Sequence, residues 1–93
     1  MIIKMPKPGK AERICALLSY WNPLDMNPDP MFYNYEAEVL AQSVRKNSRP
    51  EKISKLVHDL IQAKMIEEGV TLEIDRGSCD RIAVAMIETV KSC

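Results

Sequence analysis

Large apolar residues recur at helical spacing in four stretches of the chain. In the first stretch they fall at i, i+3, i+4 and i+7, which places them on one face of a helix: Ile14, Leu17, Leu18 and Trp21. The helix is expected to begin after Gly9. Pro23 ends it, because a proline lacks a backbone donor and disfavours the helical conformation of the residue before it.

The second and third stretches predict two more helices. One covers about 33–45, with the inner face Tyr33, Ala37, Leu40 and Val44. The other has the apolar repeat Ile53, Leu56, Val57, Leu60 and Ile61. Ser48 and Glu51 have the spacing of a capping box for this third helix, and Gly69 is expected to end it.

The last part of the chain predicts an extended segment and a fourth helix. Val70, Leu72 and Ile74 alternate with polar residues over 70–74, either as a loop or as a strand paired with 2–3. We favour the extended loop, because an isolated two-stranded ribbon is only marginally stable. The helix is expected over 78–92, with Ser78 as its cap and the inner face Ile82, Ala85, Met86 and Val90.

These elements predict an all-α protein. Ninety-three residues, of which 46% are hydrophobic, are enough for one domain with one core. The expected fold is a single helical domain over 1–93, a compact bundle of about four helices. A long loop with three prolines joins the first two helices over 22–35.

Charge and cysteine content indicate which partners and which cellular compartment to expect. Thirteen basic residues balance thirteen acidic ones, so no net field attracts nucleic acid or a membrane. The three cysteines are an odd number without Cys-x-x-Cys spacing, which indicates thiols in a reducing compartment. No signal peptide or apolar stretch of membrane-spanning length is present, so the cytoplasm is the expected location.

The residues that could carry catalysis do not form a pattern. His58 is the only histidine, and it has no metal ligands at a defined spacing around it. Cys79 near a helix start could be an activated thiol, but it would need a base, and only His58 could serve. The three glycines form no phosphate-binding loop. We therefore expect no catalytic residue, no metal site, no cofactor and no enzymatic activity.

A basic segment over 45–64 offers one binding hypothesis. Six cations lie there against Glu51 and Asp59: Arg45, Lys46, Arg49, Lys52, Lys55 and Lys64. Two helices joined by a short basic turn are faintly similar to a helix-turn-helix that grips phosphates. The segment contains no aromatic residue, and the protein is neutral overall, which argues against nucleic acid as the partner.

An acidic and aromatic window offers a second binding hypothesis. All five aromatic residues lie between Tyr20 and Tyr35, and residues 22–42 contain four acids but no lysine or arginine. Exposed tyrosines with few cations around them are typical of protein-binding hot spots. The residues predicted to bind a partner are Asp25, Asp29, Tyr33, Tyr35, Glu36 and Glu38.

The same region carries a family resemblance. Trp21-Asn22-Pro23-Leu24, an acidic tyrosine-containing loop and a third helix resemble a small family of bacterial helical domains of unknown function. That family has a Trp-Asp-Pro motif, and this chain has Asn22 where the family commonly has Asp. The resemblance covers about 14–90 and implies a compact helical domain. In size and in lacking catalytic groups, the chain is also loosely similar to immunity proteins of contact-dependent growth inhibition systems.

The leading hypothesis is a non-enzymatic protein-binding domain. In its specific form, the chain is an immunity or antitoxin protein that neutralises a basic toxin, such as a nuclease, through the acidic and aromatic window. The alternatives are a nucleic-acid-binding or regulatory module that uses the basic 45–64 segment, and a structural homo-oligomer.

Overall fold

The protein is an all-α fold, as its sequence predicts. The computed structural model describes residues 9–25, 29 and 31–91. This part of the chain contains four α-helices and no strand: α1 (Lys10–Trp21), α2 (Asn34–Ser43), α3 (Pro50–Glu68) and α4 (Arg76–Lys91). The strand pairing considered for Ile2 and Ile3 lies outside the described residues.

Helix α1 has the predicted inner face. Ile14 and Leu18 are fully buried, while Leu17 and Trp21 are partly buried against the core. Asn22 ends the helix in a left-handed conformation, with φ of 48°, and its N–H donates to the carbonyl of Leu18 at 2.8 Å.

All four helices contribute to one core, and α2 packs antiparallel to α1. The predicted inner face of α2 is confirmed, since Tyr33, Ala37, Leu40 and Val44 are fully buried. The ammonium group of Lys10, at the start of α1, donates to the carbonyl of Val44 at the end of α2. The end of α2 therefore lies beside the start of α1, as antiparallel packing requires.

The turn between α2 and α3 corrects one prediction. Ser48 does not cap α3, because its hydroxyl accepts a hydrogen bond at 2.7 Å from the N–H of Arg45 and so closes the turn itself. Arg49 occupies the cap position without a side-chain hydrogen bond, and Pro50 is the first helical residue. A proline suits this place, because the first N–H of a helix has no intrahelical partner.

On α3, the buried face is shifted to one side of the predicted stripe and also contains Ser54, Lys64 and Met65. Ile53, Val57 and Ile61 are buried, whereas Leu56 and Leu60 are only partly buried at its edge. Gly69 ends α3 as predicted, with φ of 69°. The N–H of Gly69 donates to Ile66 and that of Val70 to Met65, the two bonds of a Schellman motif.

The segment after Gly69 is extended and runs back along α3. The hydroxyl of Ser54, in the second turn of α3, bonds to the carboxylate of Asp80, in the second turn of α4, at 2.5 Å. Helix α3 is about 28 Å long, and six extended residues span about 20 Å. The segment 70–75 is therefore long enough to run back from the end of α3 to the level of Ser54. Val70 and Ile74 pack against the core, while Leu72 is 45% exposed.

Helix α4 begins earlier than predicted and has a different cap. It starts at Arg76, and the carboxylate of Asp75 accepts from the N–H of Gly77 and the hydroxyl of Ser78, both at 3.1 Å. These bonds hold the pKa of Asp75 below its ordinary value. The prediction of Ser78 as the cap was wrong. The buried face of α4 is Cys79, Ala83, Met86, Ile87 and Val90, which confirms Met86 and Val90 of the predicted face, whereas Ile82 and Ala85 are only partly buried.

Candidate functional site

The structure divides the six predicted partner-binding residues into an exposed and a buried group. The exposed group is Asp25, Asp29, Tyr35 and Glu38. The buried group is Tyr33, which is fully buried, and Glu36, which is 4% exposed. These two residues cannot present their side chains to a partner in this conformation, so the predicted surface loses its central tyrosine and one of its acids.

Tyr33 anchors the loop that joins α1 to α2. Its hydroxyl donates to the side-chain oxygen of Asn22 at 3.1 Å and accepts a longer contact of 3.4 Å from the N–H of Leu24. Its ring meets that of Phe32 edge to face, with centroids 4.9 Å apart. Burial raises the pKa of Tyr33 above its ordinary value, against the opposing effect of the Leu24 hydrogen bond. Tyr35 instead points outward and is 70% exposed.

Glu36 is neutralised by a cation from another helix. The ammonium group of Lys64, on α3, lies 3.3 Å from Oε1 of Glu36, and both side chains are more than nine-tenths buried. This separation is that of an ion pair, but Oε1 has no hydrogen-bond donor in suitable geometry among the described residues. The same ammonium group lies 4.2 Å from the centre of the Phe32 ring, a cation–π contact. One of the four acids counted over 22–42 is therefore paired in the interior and does not contribute to the acidic surface.

Asp29 has a structural role besides its charge. Its carboxylate accepts a hydrogen bond at 2.8 Å from the N–H of Met31, and its carbonyl accepts from Phe32 at 2.9 Å. Such an arrangement is an Asx turn, which fixes the approach to α2. Met31, which follows, is 61% exposed.

A groove between α1 and the start of α2 brings new residues into the candidate site. Its volume is about 590 Å³. Helix α1 contributes Glu12, Cys15, Ala16 and Ser19, and the other wall consists of Asp29, Met31 and Asn34. These residues were not part of the predicted site, apart from Asp29. They are a mixture of charged, polar, small and apolar residues, and no sequence motif identifies them.

The groove is acidic along its described length. Glu12 and Asp29 are its two charged lining residues, and both are exposed. Glu38 follows Asn34 by one helical turn and so lies on the same side of α2. Among the exposed acids, Glu12 and Asp29 thus line the groove and Glu38 lies one helical turn beyond Asn34, whereas Asp25 is not among the described lining residues.

The basic segment is smaller than the sequence indicates. Lys64 is buried against Glu36, which leaves five exposed cations: Arg45, Lys46, Arg49, Lys52 and Lys55. They lie in the turn between α2 and α3 and in the first turns of α3.

The candidate catalytic side chains lie in ordinary surroundings. Cys79 is fully buried, and burial raises its pKa, so the nucleophilic thiolate is disfavoured. His58 is partly exposed, and its Nδ1 lies 3.7 Å from the carboxylate of Asp59, its neighbour in the chain. Within the described residues, no three histidine, cysteine or acidic side chains are grouped as metal ligands would be.

Comparison with known proteins identifies no relative. No family model matches the sequence, and neither a curated protein nor a solved structure matches it. In the part of the chain that the structure describes, no helix is both long and apolar enough to cross a membrane.

Proposed function

We propose that this chain is a non-enzymatic protein-binding domain that recognises a basic partner protein through the face around the α1–α2 groove. The observation that carries the proposal is the presence of the exposed acids Glu12 and Asp29 on the two walls of a groove whose described lining contains no cation. Exposed Glu38 lies one helical turn beyond the lining residue Asn34. Acidic groups near a recess speed the encounter with a basic surface and exclude acidic competitors.

Exposed apolar groups support a protein partner. Tyr35 and Met31, at and just before the start of α2, are 70% and 61% exposed, and Tyr20 on α1 is 92% exposed. Tyrosine and methionine are enriched where proteins bind one another, because they bury a large area on contact. A surface that offers both charge and apolar area fits a protein better than a simple counter-ion.

The specific role that we propose is immunity or antitoxin activity in the cytoplasm. A small domain that covers the basic surface of a toxin needs no chemistry of its own. If the toxin is a nuclease, the carboxylates of this chain would bind the basic side chains that otherwise bind the phosphates of the nucleic acid. The thiols of Cys15 and Cys79 in the helical core fit a reducing compartment.

The test compares two charge reversals of equal size. One variant carries Glu12→Lys and Glu38→Lys, and the matched control carries Lys52→Glu and Lys55→Glu; all four positions are exposed on helices. Glu36 is unsuitable for reversal, because a second cation beside buried Lys64 would destabilise the fold.

Partner proteins are captured from cells of the source species on each immobilised variant, identified, purified and titrated. We expect a basic protein whose association is slowed about tenfold or more at low salt by the acidic reversal, and little by the control. A partner that is lost only with the control variant would locate the interface on α3 and refute the proposal. Co-expression of the chain with the purified partner's gene then tests whether it suppresses toxicity.

A further inference from the structure

We propose that the α1–α2 groove binds a basic peptide segment of the partner, with an apolar side chain against Cys15, Ala16 and Met31 and a guanidinium or ammonium group near Glu12 or Asp29. The inference rests on the proposed function and specifies the chemistry that its site recognises. It concerns residues of α1 that the acidic and aromatic window does not include.

The dimensions of the groove suit a short segment of chain. Its volume of about 590 Å³ lies within the range of sites that bind small molecules and several side chains at once. Glu12, Ala16, Asp29 and Met31 are all exposed, so the groove is open to solvent at these described residues. A groove that is open in this way can accept a segment of an extended chain.

Small residues on α1 create the apolar part of the groove. Ala16 is exposed and Ser19 is partly exposed, so no long α1 side chain fills the space between the two helices there. Cys15 is 7% exposed at the same level. Met31 on the opposite wall is unbranched and can adjust to the shape of a bound side chain. An aliphatic side chain would therefore find apolar contacts on both walls.

The charge of the groove selects a basic segment over a neutral or acidic one. Glu12 and Asp29 supply two carboxylates, and the amide of Asn34 supplies a neutral hydrogen-bonding group, while the hydroxyl of Ser19 is hydrogen-bonded to Cys15. Carboxylates bind guanidinium and ammonium groups through charge-assisted hydrogen bonds. An acidic segment would instead be repelled from both walls.

Three synthetic peptides test this chemistry on the 93-residue chain: acetyl-Arg-Leu-Leu-Arg-amide, the same peptide with Glu for Arg, and the same peptide with Ala for Leu. Each is titrated into isotopically labelled protein, and amide chemical shifts are followed. We expect the first peptide to shift the signals of Glu12, Ala16, Ser19 and Asn34. The other two peptides should bind about tenfold more weakly or not at all, because each lacks one of the two kinds of contact.

Two variants locate the site. Ala16→Trp is expected to fill the groove from an exposed position and abolish the shifts, while thermal unfolding confirms that the fold is kept. Lys52→Glu with Lys55→Glu should leave peptide binding unchanged. Shifts that cluster over 45–55 instead, or equal binding of the Arg and Glu peptides, would overturn the proposal. Self-association abolished by Ala16→Trp would also overturn it, since the occupant would then be a second copy of the chain.

The two proposals can fail separately. If partner capture depends on Glu12 and Glu38 but is indifferent to Ala16→Trp, the acidic face binds the partner and the groove inference is wrong. If the Arg-Leu peptide binds in the groove but capture is indifferent to the acidic reversal, the groove chemistry stands and the proposed function is wrong.

Discussion

The carboxylate of Glu36 and the ammonium group of Lys64 lie 3.3 Å apart in the interior, where they join the first turn of α2 to the later turns of α3. Both ions have left water, and each compensates the other. Phe32 covers the ammonium group from the side of the α1–α2 loop, so one cation links three elements of the fold.

Removing one partner of this pair should destabilise the protein strongly. Lys64→Met leaves Glu36 as an uncompensated buried charge, and Glu36→Leu does the same to Lys64; we expect each to lower the free energy of unfolding by about 3–5 kcal/mol. The double variant should lose much less than the sum of the two, because it removes both charges together. Urea unfolding of all four proteins gives the coupling energy.

The exposed pair of Glu88 and Lys91 provides the control. Their charged groups lie 3.4 Å apart on the surface of α4, with both side chains at least half exposed. We expect Lys91→Met to change the free energy of unfolding by less than about 1 kcal/mol. A Lys64→Met variant as mild as this control would mean that water reaches the Glu36 carboxylate.

Burial on α3 predicts an order of stability among core variants. Ile61 is 1% exposed, whereas the neighbouring Leu60 is only partly buried at the edge of the core. Ile61→Ala should cost about 2–5 kcal/mol through the cavity that it leaves, and Leu60→Ala should cost clearly less. Equilibrium unfolding measures both, and the reverse order would mean that α3 is rotated about its axis.

The main fold elements could be predicted because their signals are local. The faces of α1 and α2 follow from a repeat of about 3.6 residues, and Gly69 ends α3 because the left-handed conformation there suits glycine. The caps were less predictable. Ser48 and Asp75 both have side chains suited to capping, and which backbone groups each one meets depends on how the turn closes.

The candidate site could be predicted only in part, because its charges are paired over long distances in sequence. A count of charges over 22–42 finds no cation, yet Lys64 reaches Glu36 from 28 positions away. Tyr33 and Tyr35 could not both face the core, but the sequence does not say which of them is buried. The groove was missed because Ala16 and Ser19 contribute to it only through their small size. Small residues at these positions form no recognisable motif in the sequence.

Gly69 offers a test of backbone strain without steric contact. Its φ is 69°, and a Cβ built there would meet nothing within 4 Å. Gly69→Ala should therefore cost about 1–2 kcal/mol through the left-handed backbone alone. Gly69→Asn should cost less, because asparagine adopts this conformation more readily. Gly9→Ala is the comparison: φ at Gly9 is −70°, so no left-handed strain arises, and only the poorer capping by alanine should lower stability, by less than about 1 kcal/mol in the same unfolding measurement.

Stability should fall in alkaline solution, because burial favours the neutral forms of Tyr33 and Cys79. Burial raises the pKa of Tyr33 above its ordinary 10.0 and that of Cys79 above its ordinary 9.0. The pKa of each group is lower in the unfolded chain than in the folded protein. At a pH between these two values, the unfolded chain loses a proton that the folded protein keeps. The unfolded state then binds fewer protons, and the free energy of unfolding decreases as pH rises, by at most about 1.4 kcal/mol per pH unit for each group.

The two groups can be separated by their variants. Urea unfolding from neutral pH to pH 11 or so should show a decline that begins near the ordinary thiol value and steepens near that of tyrosine. Cys79→Ala should remove part of the early decline, and Tyr33→Phe part of the later one, although both variants start from lower stability at neutral pH. The titration is measured by the slope of the free energy of unfolding against pH, and not by its value at neutral pH. A cavity at Cys79 or the lost hydrogen bond between Tyr33 and Asn22 therefore does not obscure it. A Tyr33→Phe variant with an unchanged alkaline slope would mean that the Tyr33 hydroxyl ionises in the folded protein as readily as in the unfolded chain, and that the loop anchored by Tyr33 opens to water.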